Sequence, residues 1–249
     1  MTYRTRIGIL IGFVVLFLIT APLVVLYTAG YRWNEKKVRI EKVGVIFLRS
    51  RPSGAEIFLN GIPRSEHTPA RLRNLLPSTY DIKVTKAGYG SWEKTLPVSS
   101  GLTTFAESII IWKLAAPEAL SSTPAQILNQ NELAMLERAD PLTYEADGET
   151  FKSDGFEIWV ENKDGGHETV TRLSDEIVAI LPYTDNGWII YETANSIHAI
   201  ERDDRDTRND TTLVTGDGLN GLALSSDGKT LYFMENKNGA PVLWRRTLQ

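Results

Sequence analysis

The chain has 249 residues, a formal net charge of −4 and no cysteine. That length holds one large domain or two small ones behind an anchor, and so mild a negative charge argues against nucleic-acid binding. Without thiols there are no disulfides and no thiolate metal sites, and His67, His167 and His198 lie too far apart in sequence for a local metal motif.

Residues 7–31, IGILIGFVVLFLITAPLVVLYTAGY, run for 25 residues without a charge. A helix needs only about 20 apolar residues to cross a bilayer, so the stretch predicts a membrane-spanning helix. Pro22 is tolerable in it at a kink. Tyr27, Tyr31 and Trp33 fall where an aromatic belt would meet the headgroups. The run exceeds a signal-peptide core of roughly 7–15 residues and no small-x-small cleavage site follows, so a retained anchor is expected. Arg4 and Arg6 precede the helix, whereas Arg32, Lys36, Lys37, Arg39 and Lys42 follow it. Taken alone, that charge count would keep the downstream side in the cytoplasm.

From Gly44 onward short apolar runs alternate with turn residues. Val45–Leu48 predicts a strand, Arg51-Pro52-Ser53-Gly54 a turn, and Ala55–Leu59 its partner strand. Asn60-Gly61 suits a tight hairpin turn. A loop is expected through Pro63 and Thr68-Pro69. Tyr80, Ile82 and Val84 then alternate with Asp81, Lys83 and Thr85, the two-residue period of a sheet with one wet face. After a turn at Gly88-Tyr89, Trp92–Val98 and Phe105–Trp112 supply two further strands. Tyr80, Tyr89 and Trp92 are expected to pack in the core and at its rim.

The ordered set Pro52-Ser53-Gly54-Ala55, Asn60-Gly61, Thr68-Pro69, Leu75, Tyr80 to Val84, Lys86 and Gly88-Tyr89 resembles the PEGA domain over roughly residues 43–100. Ser53 stands where the family name has Glu, and Ser78 where the family commonly has Gly. The resemblance implies a non-enzymatic, surface-associated β module of bacterial exported or membrane-anchored proteins. It brings no catalytic residues, and it places the module outside the cytoplasm, against the charge count.

Residues 115–125, APEALSSTPAQ, have linker composition, and Ala125–Arg138 fits a short helix or a loop. Beyond residue 150 the two-residue period returns with internal repetition. Phe156–Val160 precedes ENKDG at 161–165, and Leu231–Met234 precedes ENKNG at 235–239, 74 residues later. Between them lie Ile177–Leu181, an Asp185-Asn186-Gly187 turn, Trp188–Tyr191 and Ile197–Ile200. That turn precedes Asp227-Gly228-Lys229 by 42 residues. Spacings of about 37–42 residues are those of propeller blades, and Leu222–Phe233 resembles the blade pattern of WD40-like and TolB-like propellers. Residues 136–249 number 114, short of the about 160 that four blades require. An open β array, a sandwich or a truncated propeller completed by a partner chain would each leave edge strands to protect.

Glu201–Asp210, ERDDRDTRND, predicts a solvated loop. Asp203, Asp204, Asp206 and Asp210 could offer oxygens to calcium, but the EF-hand order is missing and three arginines oppose a cation. Trp159, Trp188 and Trp244 occupy strands of successive repeats. They suit core positions, or a weak surface-binding platform for carbohydrate if their rings line up on one surface. The sequence holds no HExxH, Gly-x-Ser-x-Gly, phosphate-binding Gly loop or dinucleotide fingerprint.

The expected fold is all-β: an N-terminal transmembrane helix, a small PEGA-like antiparallel β module, then a propeller-like repeat region of about three partial blades. In residues this is a tail at 1–6, the helix at 7–31, the PEGA-like domain at 40–114, a linker or short helix at 115–138 and the blade region at 139–249. The expected role is a structural or binding module at the cell surface, single-pass, with no catalytic residues, cofactor or metal. Its expected partners are the lipid bilayer through the helix, a protein or cell-wall glycan, and a second copy of the chain, but not nucleic acid. The alternatives are a propeller-type hydrolase or lyase with a loop-built site and a carbohydrate-binding surface module.

Overall fold

The uncharged N-terminal run forms one helix, α1 (Tyr3–Thr28), in a computed structural model that describes residues 3–35, 37–121, 123–184 and 187–249. Lys36 and the Asp185-Asn186 part of the expected turn lie outside the described residues. The mean hydropathy of α1 reaches 3.0 and none of that stretch is buried, as expected of a membrane anchor or a signal sequence. The hydroxyl of Thr20 donates to Leu16 O at 2.9 Å, so this polar group does not break the apolar surface.

The helix ends earlier than the uncharged run does. Gly30 takes φ +85°, and Tyr31 already belongs to a strand, β1 (Tyr31–Asn34), paired antiparallel with β2 (Arg39–Lys42). The Arg32 guanidinium donates to Tyr27 O at 2.7 Å and sits 3.8 Å from the centre of the Tyr27 ring. A cation on a terminal carbonyl complements the negative end of the helix dipole and fastens the hairpin to the helix.

Seven strands follow: β3 (Gly44–Arg51), β4 (Glu56–Leu59), β5 (Ile62–His67), β6 (Ala70–Leu75), β7 (Ser78–Thr85), β8 (Ser91–Val98) and β9 (Thr103–Ile110). They form a three-stranded sheet in the order β6-β3-β9 and a four-stranded sheet in the order β5-β4-β7-β8. The alternation in β7 is as expected: Ile82 and Val84 are buried while Asp81 and Lys83 are exposed. Asn60 and Gly61 adopt φ +50° and +76° and join Leu59 to Ile62 in a two-residue hairpin turn.

Two expectations are corrected. β4 is not the partner of β3, which lies between β6 and a parallel β9. The turn after Arg51 crosses to the other sheet, held by Thr68, whose hydroxyl accepts from Ala55 N and pairs with Ser50 Oγ. Ile46 and Leu48 of β3 and Ile57 and Leu59 of β4 all point into the same core. Second, the segment through Pro63 is the strand β5 and not a loop. Pro63 is tolerated because β5 is an edge strand.

The expected linker carries β10 (Glu118–Ala119), α2 (Pro124–Ile127) and α3 (Gln130–Leu136). Asn129 caps α3 by accepting from Asn131 N and Glu132 N, and Glu132 reaches back to Asn129 N at 3.0 Å, a complete capping box. Next come β11 (Thr143–Ala146), β12 (Glu149–Ser153), β13 (Glu157–Asn162) and β14 (His167–Arg172), a meander of four strands. A second meander comprises β15 (Ile177–Tyr183), β16 (Trp188–Thr193), β17 (Ser196–Glu201) and β18 (Asp210–Thr215). The third sheet adds β10 to the outer edge of β19 (Leu219–Leu224), β20 (Thr230–Lys237) and β21 (Ala240–Thr247). The protein is therefore mostly β, in several small sheets, none of which closes into a barrel or propeller among the described residues.

One apolar core runs from the β3–β9 region into the later sheets, and a second lies between the first two meanders around Phe151, Ile180 and Ile189. At the seam, Trp112 packs edge-to-face on Trp188 with centroids 5.5 Å apart and lies 4.9 Å from Tyr183. Aromatic pairs in such geometry add about 0.5–1.5 kcal/mol beyond the area they bury.

Candidate functional site

The polar residues of greatest consequence meet where β8 packs against the end of β17 and the loop after it. In β8 the inward positions are Trp92, Lys94, Leu96 and Val98, all buried. A lysine in that series needs a partner at hand, because an unpaired buried ammonium is prohibitively costly. Lys94 Nζ lies 3.0 Å from Glu201 Oε2, with both side chains sealed from water, and also donates to the backbone carbonyl of Asp203. The Trp92 indole N–H donates to Glu201 Oε1 at 3.0 Å, and Asn209 Nδ2 donates to Glu201 Oε2 at 2.8 Å. Glu201 thus receives a cation and two neutral donors and leaves neither oxygen unsatisfied.

The same loop grips β8 a second time. Thr95 N donates to Asp206 Oδ2 at 2.9 Å, and this backbone bond is the first cause holding the Asp206 carboxyl below its ordinary range. Burial alone would raise Asp203, but hydrogen bonds from Arg205 and the charge of Lys94 outweigh it and keep its carboxyl low. Loop 202–209 is therefore no freely solvated connection: Asp203 and Asp206 are engaged by neighbours, and Asp204 is exposed. Asp203 binds Arg205 at 2.6 Å, Asp206 binds Thr95, and Asp210 accepts from Tyr191 at 2.7 Å. No cluster of three or more His, Cys, Asp or Glu suited to a metal ion occurs among the described residues.

Beside this junction opens a cleft of about 670 Å³, bounded by Phe105 to Ile109 of β9 and by Glu201 to Arg205. Arg202 also lines it, 2.9 Å from Glu149 and 2.8 Å from Glu168. Burial pulls the Arg202 guanidinium down, but its two carboxylate partners more than restore it. The hydrogen bonds of Asp203 raise Arg205. Such shifts fix charges, where acid–base chemistry needs a group poised near neutrality.

The three tryptophans singled out by the repeats occupy three different sheets. Trp188 is buried, its indole N–H donating to Ser108 O at 2.7 Å, so it is a core residue and no part of a surface platform. Trp159 is half-buried and donates to Glu161 at 3.0 Å, beside the His167 ring. Trp244 is half-buried, stacked on Phe233, with Lys237 Nζ 4.6 Å from its ring centre.

Sequence reasoning passed over Lys94 and Glu192 and placed Glu201 in a solvated loop, whereas Glu201 is the buried last residue of β17. Glu192, in β16, is fully buried, and neither carboxylate oxygen has a hydrogen-bond partner among the described residues. Desolvation pushes its pKa up to about 8; the backbone N–H of Gly221 approaches it without hydrogen-bond geometry and works the other way. The readable signal in each case is a charge at an inward position of an otherwise apolar strand.

The resemblance implied a small antiparallel β module with a turn at Asn60-Gly61; the β module and that turn are present, but β3–β9 form two sheets and β3 runs parallel to β9. Residues 43–107 match the PEGA domain. The match reaches β9, beyond the residues whose turns suggested it. No curated protein matches the chain. A PEGA domain behind one long apolar helix is consistent with a surface-anchored β module.

Proposed function

We propose that the protein is a membrane-anchored, extracytoplasmic scaffold: α1 holds it at the bilayer, the PEGA domain stands next to the membrane, and the three meanders form a propeller-like array presenting a binding surface. The observation that carries this reading is the sealed Lys94–Glu201 contact with its Trp92, Thr95 and Asp206 bonds. It joins the PEGA domain to the array as one body, so that the array is held at a fixed attitude to the anchor. Rigid presentation suits a structural or binding role, and the fixed charges in the adjoining cleft favour binding over chemistry. The propeller-like description rests on β11, β15 and β19, the inner strands of the three meanders, packing on one another in succession, and on β10 completing the last sheet.

Protease treatment of intact cells tests the placement. Digestion of the array without lysis is the expected result; digestion only after lysis overturns the extracytoplasmic assignment. Pull-down with purified cell-wall glycan, compared with a glycan-free matrix, separates a glycan partner from a protein one.

A further inference from the structure

The β1–β2 hairpin presents an apolar face that nothing among the described residues covers. The register pairs Tyr31 with Lys42 and Trp33 with Ile40, so Tyr31, Trp33, Ile40 and Lys42 share one face, while Arg32, Asn34, Arg39 and Glu41 share the other. The second face is satisfied within the protein. Asn34 and Glu41 are buried, Asn34 Nδ2 donates to Glu41 at 2.5 Å, and Arg39 pairs with the same carboxylate. Lys37 Nζ donates to Pro77 O at 3.3 Å and ties the hairpin to the PEGA domain. On the first face, Trp33 is 57% exposed and Ile40 51%, and Val38 at the turn is 71% exposed. Leu102, 63% exposed, adds to the same end of the domain: its carbonyl accepts from Val45 N, and Val43 N donates to Gly30 O.

From these residues we infer that the hairpin is a second membrane-contact surface, its Trp33–Ile40 face seated in the headgroup layer of an anionic bilayer. This rests on the reading of α1 as an anchor. Two features select lipid as the occupant. The face begins at Tyr31, three residues past the end of α1, and Arg32 locks it to Tyr27, so a helix that crosses a bilayer delivers the face to the interface. The composition matches that place as well: aromatic and aliphatic tips share their face with Lys42, while the one carboxylate within the strands lies on the other face, neutralised by Arg39 and Lys37. Contact at both helix and hairpin would fix the tilt of the PEGA domain on the membrane, which one flexible tether could not do.

The chain has no cysteine, so single spin-labelled sites are clean. The full chain is placed in vesicles of phosphatidylcholine with phosphatidylglycerol, with labels at Val38→Cys, Ile40→Cys, Leu16→Cys in the helix and Phe156→Cys in the array. The ratio of collision with oxygen to collision with a water-soluble nickel chelate is read at each. The expected result is a ratio at 38 and 40 several-fold above that at 156 and approaching that at 16. Water-like ratios at 38 and 40 with a lipid-like ratio at 16 would overturn the proposal and leave the anchor standing. A water-like ratio at 16 would overturn the anchor reading itself. Lys42→Glu is expected to lower the ratio at 40 in these vesicles, and no change would remove the anionic preference.

Discussion

The ammonium of Lys94 and the carboxylate of Glu201 lie 3.0 Å apart in a place that excludes water, one on the PEGA domain and the other on the second meander. Removing either partner leaves the other as an uncompensated buried charge. Lys94→Met and Glu201→Gln should each destabilise the chain by about 3–5 kcal/mol. The double variant Lys94→Met/Glu201→Gln should be more stable than either single one, since it removes both charges and keeps the Trp92 hydrogen bond. Chemical denaturation of the full chain in detergent, followed by tryptophan emission, measures the three values. Simple additivity of the single losses would show that the two groups are not coupled.

Glu192 makes stability depend on pH in the direction opposite to most carboxylates. Its folded pKa is raised to about 8 from an ordinary 4.5, so between those values the unfolded chain is ionised at this site while the folded chain keeps its proton. The stabilisation is therefore fully present below pH 4.5 and is lost as pH rises toward 8. The slope is at most about 1.4 kcal/mol per pH unit. Glu192→Leu should flatten this slope and raise stability at pH 8. An unchanged pH profile in that variant would assign the dependence elsewhere.

At the acid end the opposite sign applies. Asp203 and Asp206 have carboxyls held below the ordinary 3.8, so what they contribute is present above that value and is lost as pH falls through their lower folded values. Thr95 N donates to Asp206 across the junction, so acid should loosen the docking of the PEGA domain. Amide hydrogen exchange at Thr95 should rise below pH 4, and Asp206→Asn should remove much of that pH dependence.

Trp188 and Trp159 are alike in the repeats and unlike in the fold. Trp188→Ala should cost about 3–5 kcal/mol, since it empties a sealed site between Trp112 and Ser108. Trp159→Ala should cost roughly 1 kcal/mol, the net worth of its half-exposed indole hydrogen bond. Equal losses in thermal unfolding would contradict the placement of Trp188 in the core.

Gly44 opens β3 where the chain has no room for a side chain. A Cβ there would lie 2.5 Å from Val98 Cγ1 and 2.6 Å from Ser99 O, and its φ is not left-handed, so space alone excludes other residues. Gly44→Ala should destabilise the chain by about 1–3 kcal/mol through overpacking. Gly61→Ala meets no atom but is strained by its φ of +76°. Comparing the two by thermal unfolding separates the steric cause from the conformational one.

Local periodicity made much of the chain legible. The uncharged run, the Tyr80-Ile82-Val84 alternation and the Asn60-Gly61 turn each state their structure within a few residues. Among the strands overlooked are polar ones: β14 (HETVTR) and β18 (DTTLVT) lie at sheet edges with only one or two buried positions. Such segments carry too few inward residues to show a period. The tryptophans were legible as core or surface residues but not as which, because a repeat gives a ring the same place in the sequence without fixing what packs over it.

By itself the sequence determined the helix, the mostly β texture and the PEGA domain, because hydropathy, two-residue alternation and turn chemistry act between near neighbours. Tertiary structure alone decided that β3 runs parallel to β9 and that Trp92 bonds to Glu201 across 109 residues. It also decided that Lys94 is paired and Glu192 is not. The physical reason is that the cost of a buried charge depends on what lies within a few ångströms of it, and a strand pattern does not specify which distant segment supplies that neighbour.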